Sequence, residues 1–351
     1  MALVSIRPAQ LKTLLAETIA ARLPTLIVGS PGVGKSEIVS QAAQAANADI
    51  IISHPAVADP TDVKGLPWPG KDGEHATFLP FGELKQALDA TKPTVWFLDD
   101  LGQSTPAVQA GYMQLLLARR VNGHKLPDCV TFVAATNRRG DKAGVNGILE
   151  PVKSRFTTIV ELQPTLDDWC AWALNNGVPP ELIAFLRFRP NLLQDFKPSV
   201  DMDNSPCPRT WKAVADILTK TSLGQHQSLL YPAVAGAVGE GAAVEFVEFL
   251  KTYRNLPNPD AILLNPDTAK IPSDPSALYA VSAALAHKAN TSNFDRVMTY
   301  MRRLKDAGFA EFAVLCIRDA EKKTPEIVNT PAFIGAMAGD FGTLISGGNS
   351  Q

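Results

Sequence analysis

Residues 29–36 read Gly-Ser-Pro-Gly-Val-Gly-Lys-Ser, a G-x-x-x-x-G-K-S loop set between an apolar run and a helical pattern. Gly29, Gly32 and Gly34 permit backbone conformations closed to other residues and let the chain approach a ligand closely. With Ser30, Pro31 and Val33 completing the loop, its amide N–H groups and those of the next helix N-terminus would face a phosphate. Lys35 is placed to reach the β- and γ-phosphates, and Ser36 to ligate Mg²⁺. The chemistry expected is binding of a nucleoside triphosphate.

That chemistry needs further groups, and strand tips supply them. The run Thr94–Leu98 leads into Asp99-Asp100. Asp99 is expected to hold Mg²⁺ beside Ser36. Asp100 either orients and activates the attacking water or caps the next helix. The run Cys129–Ala135 leads to Thr136-Asn137, whose neutral amide can position water without adding repulsion. Arg155 ends a helical segment just before another strand. It either reaches a neighbouring subunit's γ-phosphate, stabilising transition-state charge, or is a solvated surface arginine. Arg119, Arg120, Arg138 and Arg139 compete for that role in trans. Arg209 opens a helix well downstream, from which it could lean over the γ-phosphate and couple a second domain to nucleotide state.

The elements that must position these groups follow from the hydrophobic pattern. Strand-like runs at 25–29, 49–54, 94–99, 129–135 and 157–162 alternate with helical segments at about 35–46, 82–90, 106–120 and 147–154. Near-continuous apolar strands separated by helices predict a parallel sheet covered on both faces. The expected class is α/β, a P-loop NTPase αβα sandwich on a five-stranded sheet, spanning residues 1–165. Residues 60–81 break the rhythm. They form either a β-hairpin, with Trp68 and Phe78 pairing across a Lys71-Asp72-Gly73 turn, or an irregular surface loop. From 166 onward only helical patterns remain, at about 166–176, 180–196, 208–220, 228–252, 276–288, 293–306 and 309–320. A Pro- and Asn-rich break at 254–275 divides a helical lid (166–252) from a C-terminal helical extension (253–351) with a flexible tail, Ser-Gly-Gly-Asn-Ser-Gln.

Bulk composition narrows the classes. A chain of 351 residues exceeds what one core usually fills, so two or three domains are expected. Lys and Arg total 33 against 35 Asp and Glu, which leaves no electrostatic footprint for general nucleic-acid binding. The four cysteines are widely spaced, without C-x-x-C or paired histidines, and read as buried thiols of a reducing compartment. Leu11, Leu14, Leu15, Ile19 and Leu23 recur at helical spacing between charges, so the N-terminus reads as a helix rather than a signal sequence. No uninterrupted apolar stretch approaches membrane-spanning length, and a cytoplasmic protein is expected.

Taken together, the motifs resemble those of AAA+ ATPases, and within them the MoxR-like branch, over about residues 8–252. The resemblance rests on GSPGVGKS as Walker A, TVWFLDD as Walker B, FVAATN ending in Asn137 as sensor 1, SRF with Arg155 as arginine finger, and CPRTW with Arg209 as sensor 2. Residues 56–81 match the position of that branch's inserted hairpin. It implies ATP and Mg²⁺ as ligands, a hexameric ring with ATP between subunits, and chaperone-like remodelling of a protein partner, often one bearing a von Willebrand factor A domain. Where that branch has Asp-Glu at Walker B, this chain has Asp99-Asp100. One methylene less sets the carboxylate back by about 1.5 Å. Misplacement on that scale costs on the order of 100-fold in rate, so slow hydrolysis is expected. The competing readings are a nucleic-acid motor, with Lys64 and Lys71 as thin support among four nearby acids, and a small-molecule kinase. A GTPase is disfavoured because no N-K-x-D guanine-reading motif follows the strands.

Overall fold

The centre of the sheet is built from runs that are buried on both faces, as a central parallel strand requires. Every residue of Thr94–Leu98 and Val130–Thr136 is buried. The computed structural model describes residues 3–70, 73–141, 144–199, 201–256, 258–339 and 341–346. The Lys71-Asp72 turn and the tail at 347–351 lie outside the described residues. These divide into two units, residues 3–165 with 196–199, and residues 166–195 with 201–346.

In the first unit the order is β1 (Ser5–Ile6), α1 (Pro8–Ala20), β2 (Thr25–Val28), α2 (Lys35–Ala45), β3 (Asp49–Ser53), α3 (Pro60–Lys64), β4 (Leu66–Pro69), β5 (Ala76–Leu79), α4 (Gly82–Leu88), β6 (Thr94–Leu98), α5 (Pro106–Ala118), β7 (Arg120–Val121), β8 (His124–Lys125), β9 (Val130–Thr136), α6 (Glu150–Lys153) and β10 (Thr158–Leu162). The main sheet is parallel with strand order β1-β10-β2-β9-β6-β3. It has six strands where the hydrophobic runs predict five. The sixth, β1, is two residues long and is separated from α1 by Arg7 alone, too short to show any periodicity. Successive strand residues feed opposite faces. Ile27, Val95, Phe97 and Val133 pack with Leu11, Leu15 and Val39 of α1 and α2. Leu26, Trp96, Leu98 and Phe132 pack with Leu84, Tyr112 and Leu115 of α4 and α5. The αβα sandwich follows from that alternation.

The insertion is a hairpin, β4 antiparallel to β5, held between α3 and α4. Its register differs from the expected pairing. Trp68 lies opposite Thr77, and Phe78 opposite Pro67, so the two rings are offset by one residue. A second hairpin, β7–β8, stands where a helix to residue 120 is expected. Helix α5 stops at Ala118 because Arg119 turns left-handed, and the Asn122-Gly123 pair, both at positive φ, reverses the chain. The hairpins are joined. Phe78 O lies 2.7 Å from His124 Nε2, and Asn122 Nδ2 donates to Lys64 O at 2.8 Å.

The second unit is helical throughout its described residues: α7 (Leu166–Asn175), α8 (Pro180–Phe188), α9 (Pro208–Lys220), α10 (Gln227–Val238), α11 (Glu240–Arg254), α12 (Pro259–Leu264), α13 (Pro275–Lys288), α14 (Phe294–Asp306), α15 (Ala310–Lys323), α16 (Pro331–Ala338) and α17 (Gly342–Ser346). The single helix expected over 228–252 is two, broken at Gly239 with φ 83°. The Pro-rich break holds the short helix α12, capped by Asn258. Two apolar cores share α13. Ala280 and Ala283 enter the core of Phe185, Trp211 and Phe246, while Leu278, Val281 and Leu285 enter that of Phe294, Met301 and Ile317. Residues 166–252 and the described residues beyond them therefore fall in one compact unit.

Alongside α13, Arg187 of α8 meets Asp319 of α15 through both terminal guanidinium nitrogens, Nη1 and Nη2, with Nη2 donating to Oδ1 at 2.7 Å. Both side chains are almost fully buried. Burial alone would lower the arginine's pKa, but the hydrogen bonds and charge of Asp319 hold it above its ordinary value. Removing one partner leaves a buried charge uncompensated. Asp319→Ala should therefore destabilise the helical unit by about 3–5 kcal/mol, whereas Arg187→Met with Asp319→Leu should come much closer to neutral. Urea unfolding followed by tryptophan fluorescence measures both.

Candidate functional site

Register brings the site together. Val28 at the tip of β2 pairs with Thr136, and Leu98 of β6 pairs with Ala134, so the carboxyl ends of these strands lie side by side. The next residues, Gly29, Asn137 and Asp99-Asp100, therefore leave the sheet along one edge. In an open parallel sheet this is where ligands bind. Gly29 N donates to Thr136 O at 3.2 Å, which fixes the start of the loop against β9. Gly32 and Gly34 have φ of 74° and 95°, and Gly34 sits at the N-cap of α2. There a side chain would be strained although the space is open.

Within that frame the loop folds around its own lysine. Lys35 is only 7% exposed. Its ammonium donates to Gly29 O at 2.9 Å, Ser30 O at 3.0 Å and Asn137 Oδ1 at 2.7 Å. The other end of the Asn137 amide, Nδ2, donates to Asp100 Oδ1 at 3.5 Å. Ser36 Oγ donates to Asp99 Oδ2 at 2.7 Å, and the other oxygen of Asp99 accepts Asp100 N at 3.1 Å. Lys35, Ser36, Asp99, Asp100 and Asn137 thus form one network linking loop, acidic tip and polar tip.

Asp100 caps no helix. It precedes a single 3-10 turn without a side-chain cap bond, and α5 is capped instead by Thr105. The Asp100 backbone is left-handed at φ 58°, a costly conformation of the kind that concentrates at functional sites. The turn lies tight on β9. A Cβ on Gly102 would come within 2.1 Å of Thr136 Oγ1, so only glycine lets the acidic tip approach this closely.

The arginines separate. Arg119 donates to Pro127 O and Val130 O at 2.7 and 2.8 Å and is spent on its own subunit. Arg138 is likewise turned inward, onto Ser30, Asp141 and Glu161, so neither is available in trans. Arg120 is exposed on the second hairpin, and Arg139 is exposed with one bond to Asn146 O. Arg155 is half-buried between α6 and β10, and its Nε is buried without a hydrogen-bond partner among the described residues. Arg209 is exposed on the first turn of α9, in the second unit. The residues missed from the sequence are Gly102, Asp141 and Glu161, together with the place of Arg138 within its own subunit instead of in trans. Only Arg138 carried a signal, its place directly after Asn137.

Residues 24–156 match the family model for the AAA domain, dynein-related subfamily. That span runs from just before β2 to just before β10 and holds the loop, both aspartates, Asn137 and Arg155. The match is to an AAA-type nucleotide-binding domain and implies ATP binding by this span. No curated protein matches the sequence. Among solved structures, the Thermotoga maritima RuvB Holliday junction branch migration motor is similar at 17% identity over 86% of this chain and 87% of that chain, with TM-score 0.39. A point mutant of the same RuvB gives 17%, 86% and 87%, with TM-score 0.40. Among the described residues no helix is long and apolar enough to cross a membrane.

Lys35→Met removes the charge-assisted bonds at the centre of the network. Such bonds contribute about 1.5–3 kcal/mol each. ATP affinity should fall by on the order of 100-fold or more. Isothermal titration with ATP measures the loss, and circular dichroism checks that the fold persists.

Proposed function

We propose that this chain is one subunit of a ring that hydrolyses ATP to remodel or activate a protein partner, in the manner of MoxR-like AAA+ proteins. The observation that carries the reading is the continuous contact from Lys35 through Asn137 to Asp100, beside Ser36 on Asp99. The Ser36 hydroxyl and Asp99 carboxylate, already in contact, are the oxygen donors that Mg²⁺ takes together with phosphate oxygens. The ion would be held by these two residues and would neutralise charge on the β- and γ-phosphates.

Lys35 would exchange its bonds to Gly29 O and Ser30 O for phosphate oxygens. A water held between Asp100 and Asn137 attacks the γ-phosphorus. Its proton passes to Asp100, the bond to the β,γ-bridging oxygen breaks, and ADP and phosphate leave. Asn137 keeps Asp100 and Lys35 in register while charge develops. Arg155 has an unpartnered buried nitrogen and a half-exposed head, which suits an arginine supplied to the neighbouring subunit's phosphate. Arg209 would report the γ-phosphate to the helical unit. A ring with ATP at each subunit boundary suits this division of labour, and six subunits is the number that the resemblance to MoxR-like proteins implies.

A protein partner is supported by the first hairpin. Leu66, Trp68, Phe78 and Leu79 are all exposed there, Trp68 by 59%. Projecting apolar side chains suit a polypeptide, and a von Willebrand factor A domain protein is the partner class to try first. The second hairpin supplies one observation for a nucleic-acid motor instead, the exposed basic pair Arg120 and Lys125. Salt-dependent DNA binding by the assembled protein would favour that reading.

Asp100→Asn should keep ATP affinity and lose turnover by on the order of 100-fold. Wild-type turnover per subunit should rise with protein concentration as rings form. Arg155→Ala rings should be inactive, and mixing them with Asp100→Asn subunits should restore part of the activity, since some boundaries then hold an intact Asp100 and an intact Arg155. Full activity in a monomer, or an active Arg155→Ala ring, overturns the shared site.

A further inference from the structure

Val28 stands at one level with Thr136 on its one side and Glu161 on the other. The phosphate loop therefore rises from β2 between β9 and β10, and Arg138 bridges the two flanking strands across its root. From the end of β9, its Nη1 donates to Glu161 Oε1 on β10 at 3.1 Å. Its Nε and Nη2 grip both oxygens of Asp141, each at 3.1 Å. Nη2 also donates to Ser30 Oγ in the loop itself. Asp141 is buried and Glu161 largely so, whereas the arginine keeps a partly exposed edge. The hydrogen bonds and charges of the two acids hold the Arg138 pKa above its ordinary value, Asp141 contributing most.

Two carboxylates beside a triphosphate site need a reason, since each repels the ligand. The guanidinium is the only cation within 4 Å of either acid among the described residues. We infer that Arg138 is a positioning residue of its own subunit's nucleotide site, which pins the root of the phosphate loop through Ser30 and cancels the charge of Asp141 and Glu161 next to it. The inference rests on the reading of residues 29–36 as a triphosphate site. Lysine cannot reproduce the role fully, because a point ammonium has no planar fork to span two carboxylates and a hydroxyl. A purely structural strut would behave differently. Its loss would lower stability without making nucleotide affinity depend on the charge of the two acids.

The test is ATP affinity of the full chain by isothermal titration, at low and high salt, with thermal stability measured in parallel. Arg138→Met should weaken ATP binding on the order of tenfold and ADP binding less, because ATP carries one more charge. Arg138→Lys should fall between Met and wild type. Raising the salt should shrink the difference, as the charges are partly solvent-screened. Adding Asp141→Asn and Glu161→Gln to Arg138→Met should restore most of the affinity. Where Arg138→Met does not fold, Asp141→Asn with Glu161→Gln in the otherwise native chain serves instead, and should bind ATP more tightly than wild type. Wild-type affinity in Arg138→Met, or a loss that neutralising the acids does not relieve, overturns the inference alone. A native chain that binds no ATP overturns the triphosphate site as well.

Discussion

A lysine ammonium can be buried under a loop only if oxygen atoms replace the water it loses. Lys35 meets that condition with two carbonyls of its own loop and the amide of Asn137, which comes from a strand a hundred residues later. The rest of the first unit can be understood as what this arrangement demands. The β2–β9 pairing must be in register for Asn137 to arrive, β6 must pair with β9 for the aspartates to arrive beside it, and helices must cover both sheet faces to keep that register dry. A slip of one residue in β9 would turn Phe132 and Val133 to the wrong layers and carry Asn137 away from the loop.

What the sequence made legible was whatever depends on near neighbours. The phosphate loop is contiguous. The runs Thr94–Leu98 and Cys129–Ala135 announce buried strands, and the order in which Asp99 and Asn137 follow the loop indicates one shared edge, whereas Arg155 precedes β10 and lies toward the opposite end of the strands, where Thr158 pairs with Thr25. What it concealed depends on contacts through space. β1 has two residues and no period. Trp68 and Phe78 have the right character for cross-strand partners, but hairpin register placed them one position apart. The second hairpin did carry a local signal in Asn122-Gly123, masked by the helical pattern running into Arg119 and Arg120. Arg138 shows the limit most clearly. An arginine after a strand tip looks the same whether it points to a neighbour or folds back over its own loop, and only the positions of Asp141 and Glu161 decide.

The helical unit reaches its shape by a different route. Its central helix, α13, is rich in alanine and buried nearly all round; it meets the core of Phe294 and Ile317 through the larger Leu278, Val281 and Leu285, and the core of Phe185 and Trp211 through the small Ala280 and Ala283. The contact through alanines has little shape of its own to resist sliding. The Arg187–Asp319 pair supplies the missing direction, since a two-point ionic contact fixes both the height and the rotation of α8 against α15.

The tie between the two hairpins also has a mechanical meaning. An isolated two-stranded arm would bend at its root under any load applied to its tip. Here the arm is propped partway along, at Phe78, by His124, while Asn122 braces the helix at its base. The prop stands on the chain that runs directly into β9, so force on the exposed tryptophan passes into the sheet strand that carries Asn137. The arrangement in this region is that of a braced cantilever, which ties the exposed hairpin to the sheet edge that carries the phosphate loop.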